Sequence, residues 1–214
     1  MCEYVYINEL KDLKKKFKTL INKVHKYLRK NYKITFSCIP IGSGKRNMVI
    51  KQCNKNYFDL DFQIVLQSVP DEYNSNDSCK ALKDLFRSVF DKFKLPGFSD
   101  CEDSTQALTI KNVKSGYGFD IVITKYDSNA NFYILYNKKS TNAANNKDYE
   151  WAIRSKMNKY QERLKCVKGV EMWQYLRDIY LKKRHEHKDD NNANKKKSYQ
   201  LLNEAVVETL KHFK

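Results

Sequence analysis

The chain has 214 residues, 41% of them hydrophobic, enough to build a real core in one large domain or two small ones. Six cysteines (Cys2, Cys38, Cys53, Cys79, Cys101 and Cys166) without a C-x-x-C pair argue against a zinc knuckle or a dithiol redox motif, so reduced thiols are expected. Forty-one Lys+Arg against 25 Asp+Glu leave a formal charge of +16, more than solubility requires, which points toward polyanions such as nucleic acid or nucleoside triphosphates.

The first stretch carries acidic and basic residues where a signal core would need apolar ones. No later run approaches the roughly 18 apolar residues that cross a bilayer, so a cytoplasmic protein without membrane contact is expected. Between residues 4 and 30, Leu10, Leu13, Phe17, Leu20, Ile21, Val24, Tyr27 and Leu28 recur at three and four, predicting a long amphipathic helix. "KITFSCIPI" (33–41) and "YFDLDFQIVL" (57–66) read as strands separated by a short irregular segment. A breaker cluster after Val69 precedes Leu82, Leu85, Phe86, Val89, Phe90 and Phe93 at helical spacing, a crossover helix. "QALTIKNV" (106–113), "GYGFDIVITKY" (116–126) and "NFYILYN" (131–137) are further strands, the first two joined by a tight turn at Lys114, Ser115 and Gly116.

From residue 148 onward the pattern predicts helices: "DYEWAIRSKMNKYQERLKC", "VEMWQYLRDIYLKKRHEH" and "SYQLLNEAVVETLKHF". Ser198 is the expected cap of the last one, and the polar stretch 188–197 before it is an expected mobile loop. Trp151, Trp173, Tyr175 and Tyr180 read as helix core, and His185-Glu186-His187 as a solvated helix end. The fold class expected is α+β: a mixed sheet of about five strands, preceded by a long helix and followed by a small helical part, with a division at 1–140 and 141–214.

Two phosphate-handling signals compete between residues 41 and 66. Gly42-Ser43-Gly44-Lys45 looks like the end of a P-loop, but that motif needs a glycine five positions before Gly44 and a Ser or Thr after Lys45. Ile39 and Arg46 stand there, so the motif fails at both ends. The alternative is Asp59-Leu60-Asp61. In a strand both carboxylates project to one side while Phe58, Leu60 and Phe62 enter the core. Two such carboxylates repel unless a cation lies between them, and hard oxygen ligands suit Mg²⁺. Asp120, the one acid in the apolar centre of "GFDIVI", is placed to supply a third ligand from a neighbouring strand and so complete a two-metal site.

Gly42-Ser43, Asp59-x-Asp61 and Asp120 together resemble the motif set of the polymerase-β-like nucleotidyltransferase superfamily. The resemblance is strongest to the branch of cyclic GMP-AMP synthase, oligoadenylate synthase, CCA-adding enzymes and bacterial dinucleotide synthases. It covers roughly residues 33–125, and departs from the usual pattern in the 15 residues between Ser43 and Asp59 and in Met48, where Thr is common. It implies a Mg²⁺-dependent nucleotidyltransferase with two ions, Mn²⁺ being an alternative, in which Asp59, Asp61 and Asp120 are both catalytic residues and metal ligands. Gly42 and Ser43 would bind the triphosphate of an NTP, with Lys45 and Arg46 adding positive potential. From the C-terminal helices it implies Lys182 or Lys183 at phosphate, with Arg177 a further candidate, Ser198 as a donor and Tyr199 stacked on the base. A nucleotide or RNA end is the expected acceptor. A protein or small-molecule acceptor, or a non-catalytic nucleic-acid sensor of the same fold, are the alternatives.

Overall fold

Apolar side chains at three- and four-residue spacing give α1 (Ile7–Tyr32) a continuous buried stripe from Leu10 to Leu28. The helix ends where Lys33 turns left-handed (φ 56°) and returns its amide to the Leu28 carbonyl. The computed structural model describes residues 2–51, 57–154, 158–187 and 196–214, so most of the expected mobile loop lies outside the described residues. The chain divides into two units, one of residues 6–49 and 57–155, the other of residues 1–5, 50–56 and 156–214.

The first unit is built on a mixed seven-stranded sheet. After α1 come β2 (Thr35–Pro40), the short turn of helix α2 (Gly42–Lys45), and β4 (Phe58–Ser68), with β3 (Ile50–Lys51) lying in the other unit. The crossover helix α3 (Cys79–Lys92) leads to β5 (Glu102–Asp103), β6 (Leu108–Asn112), β7 (Tyr117–Tyr126), β8 (Phe132–Asn137) and β9 (Tyr149–Ile153). Spatial order is β2-β4-β7-β6-β5, with β8 pairing both β7 and β9. β4 and β7 run parallel, as a helical crossover between them requires, and the other pairs are antiparallel. Five of these strands are the expected ones; β5 and β9 are additional. The expected helix beginning at 148 is corrected here. It starts at Asn158 as α4 (Asn158–Lys165), and Tyr149–Ile153 pairs with β8 instead. The reason is period two: Tyr149, Trp151 and Ile153 alternate with Glu150 and Ala152, and Trp151 lies under the Lys125 ammonium at 4.4 Å rather than in a helix core.

Alternation along β4 sets the two faces of the sheet. Phe58, Leu60, Phe62, Ile64 and Leu66 are buried, while Asp59, Asp61 and Gln63 lie on the opposite side. Under α1, Phe17 stacks on Phe62 at 3.7 Å and meets Phe119 at 5.0 Å, and Phe119 stacks on Phe98 at 5.5 Å. Truncating a buried aromatic of this kind costs about 3–5 kcal/mol. At the far edge of the sheet unit, Lys83 of α3 and Asp103 of β5 form a buried ion pair at 2.6 Å, each side chain 1% exposed. Lys83 also donates to the Ser104 carbonyl, while Tyr149 and Asn137 donate to Asp103 Oδ2 at 2.6 and 2.9 Å.

The second unit holds β1 (Glu3–Tyr4) paired with β3, together with α4, α5 (Gly169–Glu186) and α6 (Ser198–His212). Tyr4 donates to the Arg177 carbonyl at 2.7 Å, and the Arg177 guanidinium lies 4.0 Å from the Tyr4 ring centre. His185 is not a solvated helix end, since its Nε2 accepts from the Cys2 amide at 3.2 Å. Cys2 stands in a disulfide, which corrects the expectation of reduced thiols for that residue; Cys38, Cys79, Cys101 and Cys166 are free. The expected cap is corrected too: Lys197 precedes the first turn of α6, its amide donating to Gln200 Oε1 at 2.7 Å, and Ser198 is the first helical residue.

Candidate active site

Parallel pairing of β4 with β7 sets Asp61 directly beside Asp120 and Asp59 directly beside Gly118. Directly paired residues of neighbouring strands share a face at about 4.8 Å, and residues two apart on one strand share it at about 6.7 Å. Asp59, Asp61 and Asp120 therefore lie on one side of the sheet, on two adjacent strands, all partly exposed. Among the described residues, no group of three or more carboxylate, imidazole or thiol side chains converges closely enough to hold a metal ion as it stands.

Gly42 joins this group through the backbone. The Ile41 amide donates to the Asp61 carbonyl at 2.9 Å, which seats the start of α2 beside the carboxylate. Gly42 has φ +59°, and a Cβ there would lie 2.5 Å from Asp61 Oδ2, so both conformation and space demand glycine. Ser43 follows it, its carbonyl accepting the amides of Arg46 and Met48. Arg46 reaches back to the Gly42 carbonyl at 2.8 Å, and Lys45 is exposed.

The same face carries four residues that sequence reasoning missed. Thr109 is paired with Asp120, and its hydroxyl donates to Asp120 Oδ1 at 2.6 Å. Gly118 leaves a notch opposite Asp59: a Cβ there would lie 2.7 Å from Asp59 Oδ1, 2.2 Å from the Tyr57 hydroxyl and 3.2 Å from the Ile110 carbonyl. Tyr57, two residues before Asp59, brings its hydroxyl to that same notch beside the Asp59 carboxylate. Lys111 is paired with Gly118 on the other flank and bonds Glu102 at 2.5 Å. The available signal was the hairpin 108–121, whose short turn fixes which residues of β6 stand opposite Gly118 and Asp120.

Burial raises the pKa of all three aspartates, and repulsion from a neighbouring aspartate adds to it for Asp59 and Asp61. Asp61 is pushed up to about 7, first by burial and then by the charges of Asp120 and Asp59. Asp59 is raised by burial and by Asp120, against the pull of Tyr57 and Lys111. Asp120 is raised by burial, against the Thr109 hydrogen bond and the Lys111 charge. A cavity of about 300 Å³ beside these strands, lined by Phe17, Lys18, Phe36, Cys38 and Phe62 among others, includes the side chains facing α1 and so is not the carboxylate site.

The remaining expected site residues belong to the helical unit. Lys183 is ion-paired with Glu208 at 2.9 Å, whereas Lys182 is exposed. Ser198 Oγ accepts from the Arg184 guanidinium, and Tyr199, 40% exposed, sits edge-on to Tyr160 at 5.0 Å. Arg177 covers Tyr4, as described.

No protein-family model and no curated protein sequence matches the chain. Solved structures do. The chain is similar to the Vibrio cholerae DncV cyclic AMP-GMP synthase, a prokaryotic cGAS homolog, with a TM-score of 0.66 and 11% identity over 96% of this chain and 68% of that one. The GTP-bound form of DncV gives 0.58 and 12%, covering 83% of this chain and 45% of that one, so the chain spans about half the length of that structure. The STING-associated CdnE c-di-GMP synthase from Capnocytophaga granulosa gives 0.59 and 14%, covering 95% and 60%. The chain thus shares the fold of these two bacterial synthases.

Proposed function

We propose that this protein is a divalent-metal-dependent nucleotidyltransferase that moves a nucleoside monophosphate from an NTP to a hydroxyl of a nucleotide or RNA acceptor. The observation that carries this reading is the register Asp61 to Asp120, with Asp59 on the same face and Gly42 against the Asp61 carboxylate. The donor set fits Mg²⁺ or Mn²⁺: three hard carboxylates on two adjacent strands, each raised in pKa by burial and all but Asp120 also by a neighbouring aspartate, a repulsion that a divalent cation relieves. Asp59, Asp61 and Asp120 would hold two such ions, whose chemistry is to acidify the acceptor hydroxyl and neutralise the triphosphate.

The side chains supply the rest. Asp120 accepts the proton of the attacking hydroxyl. Gly42, lacking a Cβ, lets a phosphate approach the backbone, and the Ser43 hydroxyl donates to it, with Lys45 and Arg46 adding positive potential. In the helical unit, Lys182 is the lysine assigned to phosphate, because Lys183 is engaged by Glu208. Tyr199 is assigned to the base, its exposed ring steadied by Tyr160, and Ser198 to a phosphate oxygen. The charge of +16 supports a polyanionic acceptor.

The test is incubation with each α-labelled NTP and Mg²⁺, offering RNA, nucleotide or no added acceptor, and identifying the labelled product. New phosphodiester that disappears with EDTA supports the reading; absence of transfer with every NTP, acceptor and divalent ion refutes it. The formal charge of +16 also favours a second reading, a nucleic-acid-binding module of the same fold. That module would bind RNA with a steep salt dependence and be indifferent to EDTA.

A further inference from the structure

We propose that Thr109 is the positioning residue of Asp120, fixing which carboxylate oxygen faces Asp61; this rests on the reading of the three aspartates given above. The sheet order β4-β7-β6 and its register set Asp61, Asp120 and Thr109 side by side in one row. Asp120 therefore has a like charge on one flank and a hydroxyl on the other.

Thr109 is 8% exposed and donates its single hydroxyl proton to Asp120 Oδ1 at 2.6 Å, the length expected when the acceptor is ionised. Among the described residues this is the one hydrogen bond made to the Asp120 carboxylate. It holds Oδ1 on the β6 side and so leaves Oδ2 to serve an ion shared with Asp61. Without it, the repulsion between the two neighbouring carboxylates turns the group away from the position in which it serves an ion shared with Asp61. Threonine suits the task because its branched Cβ restricts χ1 and so aims the hydroxyl. A neutral donor suits it as well: a lysine here would pair with Asp120 and cancel the charge, as Lys83 does for Asp103. Lys111, a cation on this face, is instead bonded to Glu102.

The probe is Mn²⁺ alone, its free concentration read by electron paramagnetic resonance against the purified chain. Thr109→Val keeps the shape and removes the hydroxyl, and is expected to weaken Mn²⁺ binding about tenfold or more, the usual cost of losing a group that orients a metal ligand. Thr109→Ser, which restores the hydroxyl, is expected to bind within a few-fold of the unsubstituted chain. Both should melt within a few degrees of it, and if Thr109→Val does not fold, Thr109→Ala carries the same expectation. In transfer assays the loss should fall on kcat rather than on the KM for NTP. Unchanged Mn²⁺ affinity in Thr109→Val overturns the proposal and leaves the reading of the aspartates standing. Thr109→Ser weakened as far as Thr109→Val also overturns it, since the lost methyl packing is then the cause. If the unsubstituted chain binds Mn²⁺ no better than Asp61→Asn, the reading itself falls and the proposal with it.

Discussion

Asp103 and Asp61 stand on the same sheet and live under opposite rules. Asp103 is sealed from water and meets Lys83, Tyr149 and Asn137, so its charge is answered by one cation and two hydrogen-bond donors. Burial alone would pull the Lys83 pKa down, and the Asp103 carboxylate opposes that pull. Among the described residues Asp61 has burial without an answering cation, and the charges that act on it are two more aspartates. The first arrangement ties α3 to β5, β8 and β9. The second stores unfavourable charge at one place, which a fold tolerates where an external cation is the missing partner.

The sharpest way to break the contrast is to remove one charge from each side. Asp61→Asn should lower nucleotidyl transfer by about a thousandfold or more, the several kcal/mol that metal-held charge contributes to such a reaction, while leaving the melting temperature unchanged or higher. Lys83→Ala should do the reverse. Stranding Asp103 in the interior costs about 3–5 kcal/mol, read by urea titration, and the protein that remains folded should keep its affinity for Mn²⁺.

Gly118→Ala is an intermediate case. The added methyl meets Asp59 Oδ1, the Tyr57 hydroxyl and the Ile110 carbonyl, and the last cannot yield without moving β6. About 1–3 kcal/mol of stability should be lost, again by urea titration, together with Mn²⁺ affinity. The smallest effect is on pH dependence. Asp61 binds its proton more tightly folded than unfolded, so in the ion-free protein its contribution to stability falls as pH rises from about 4 toward about 7. Melting curves should show a decline of a few degrees over that window, flattened in Asp61→Asn and offset by Mg²⁺.

How much of this was legible in the sequence follows from the range of the forces involved. Asp59 and Asp61 stood out because the period of two is local, and Asp120 because one acid interrupts an apolar strand. Thr109, Tyr57 and Gly118 did not, since their meaning depends on cross-strand register, which a single strand's pattern leaves open. Tyr149–Ile153 was misread as helix because "DYEWAIRSKMN" satisfies both periods, and pairing with β8 decided between them. Ser198 was misread as a cap for a similar reason: the residue type was right for the role, and the chain entered the helix one residue earlier.

The most direct test of the central claim is a crystal structure with Mn²⁺ and a non-hydrolysable NTP, using anomalous scattering to locate the metal. Anomalous peaks within about 2.5 Å of carboxylate oxygens of Asp59, Asp61 and Asp120 are the expected result. A nucleotide bound with no metal peak at these three residues, or metal held elsewhere on the chain, would contradict the account.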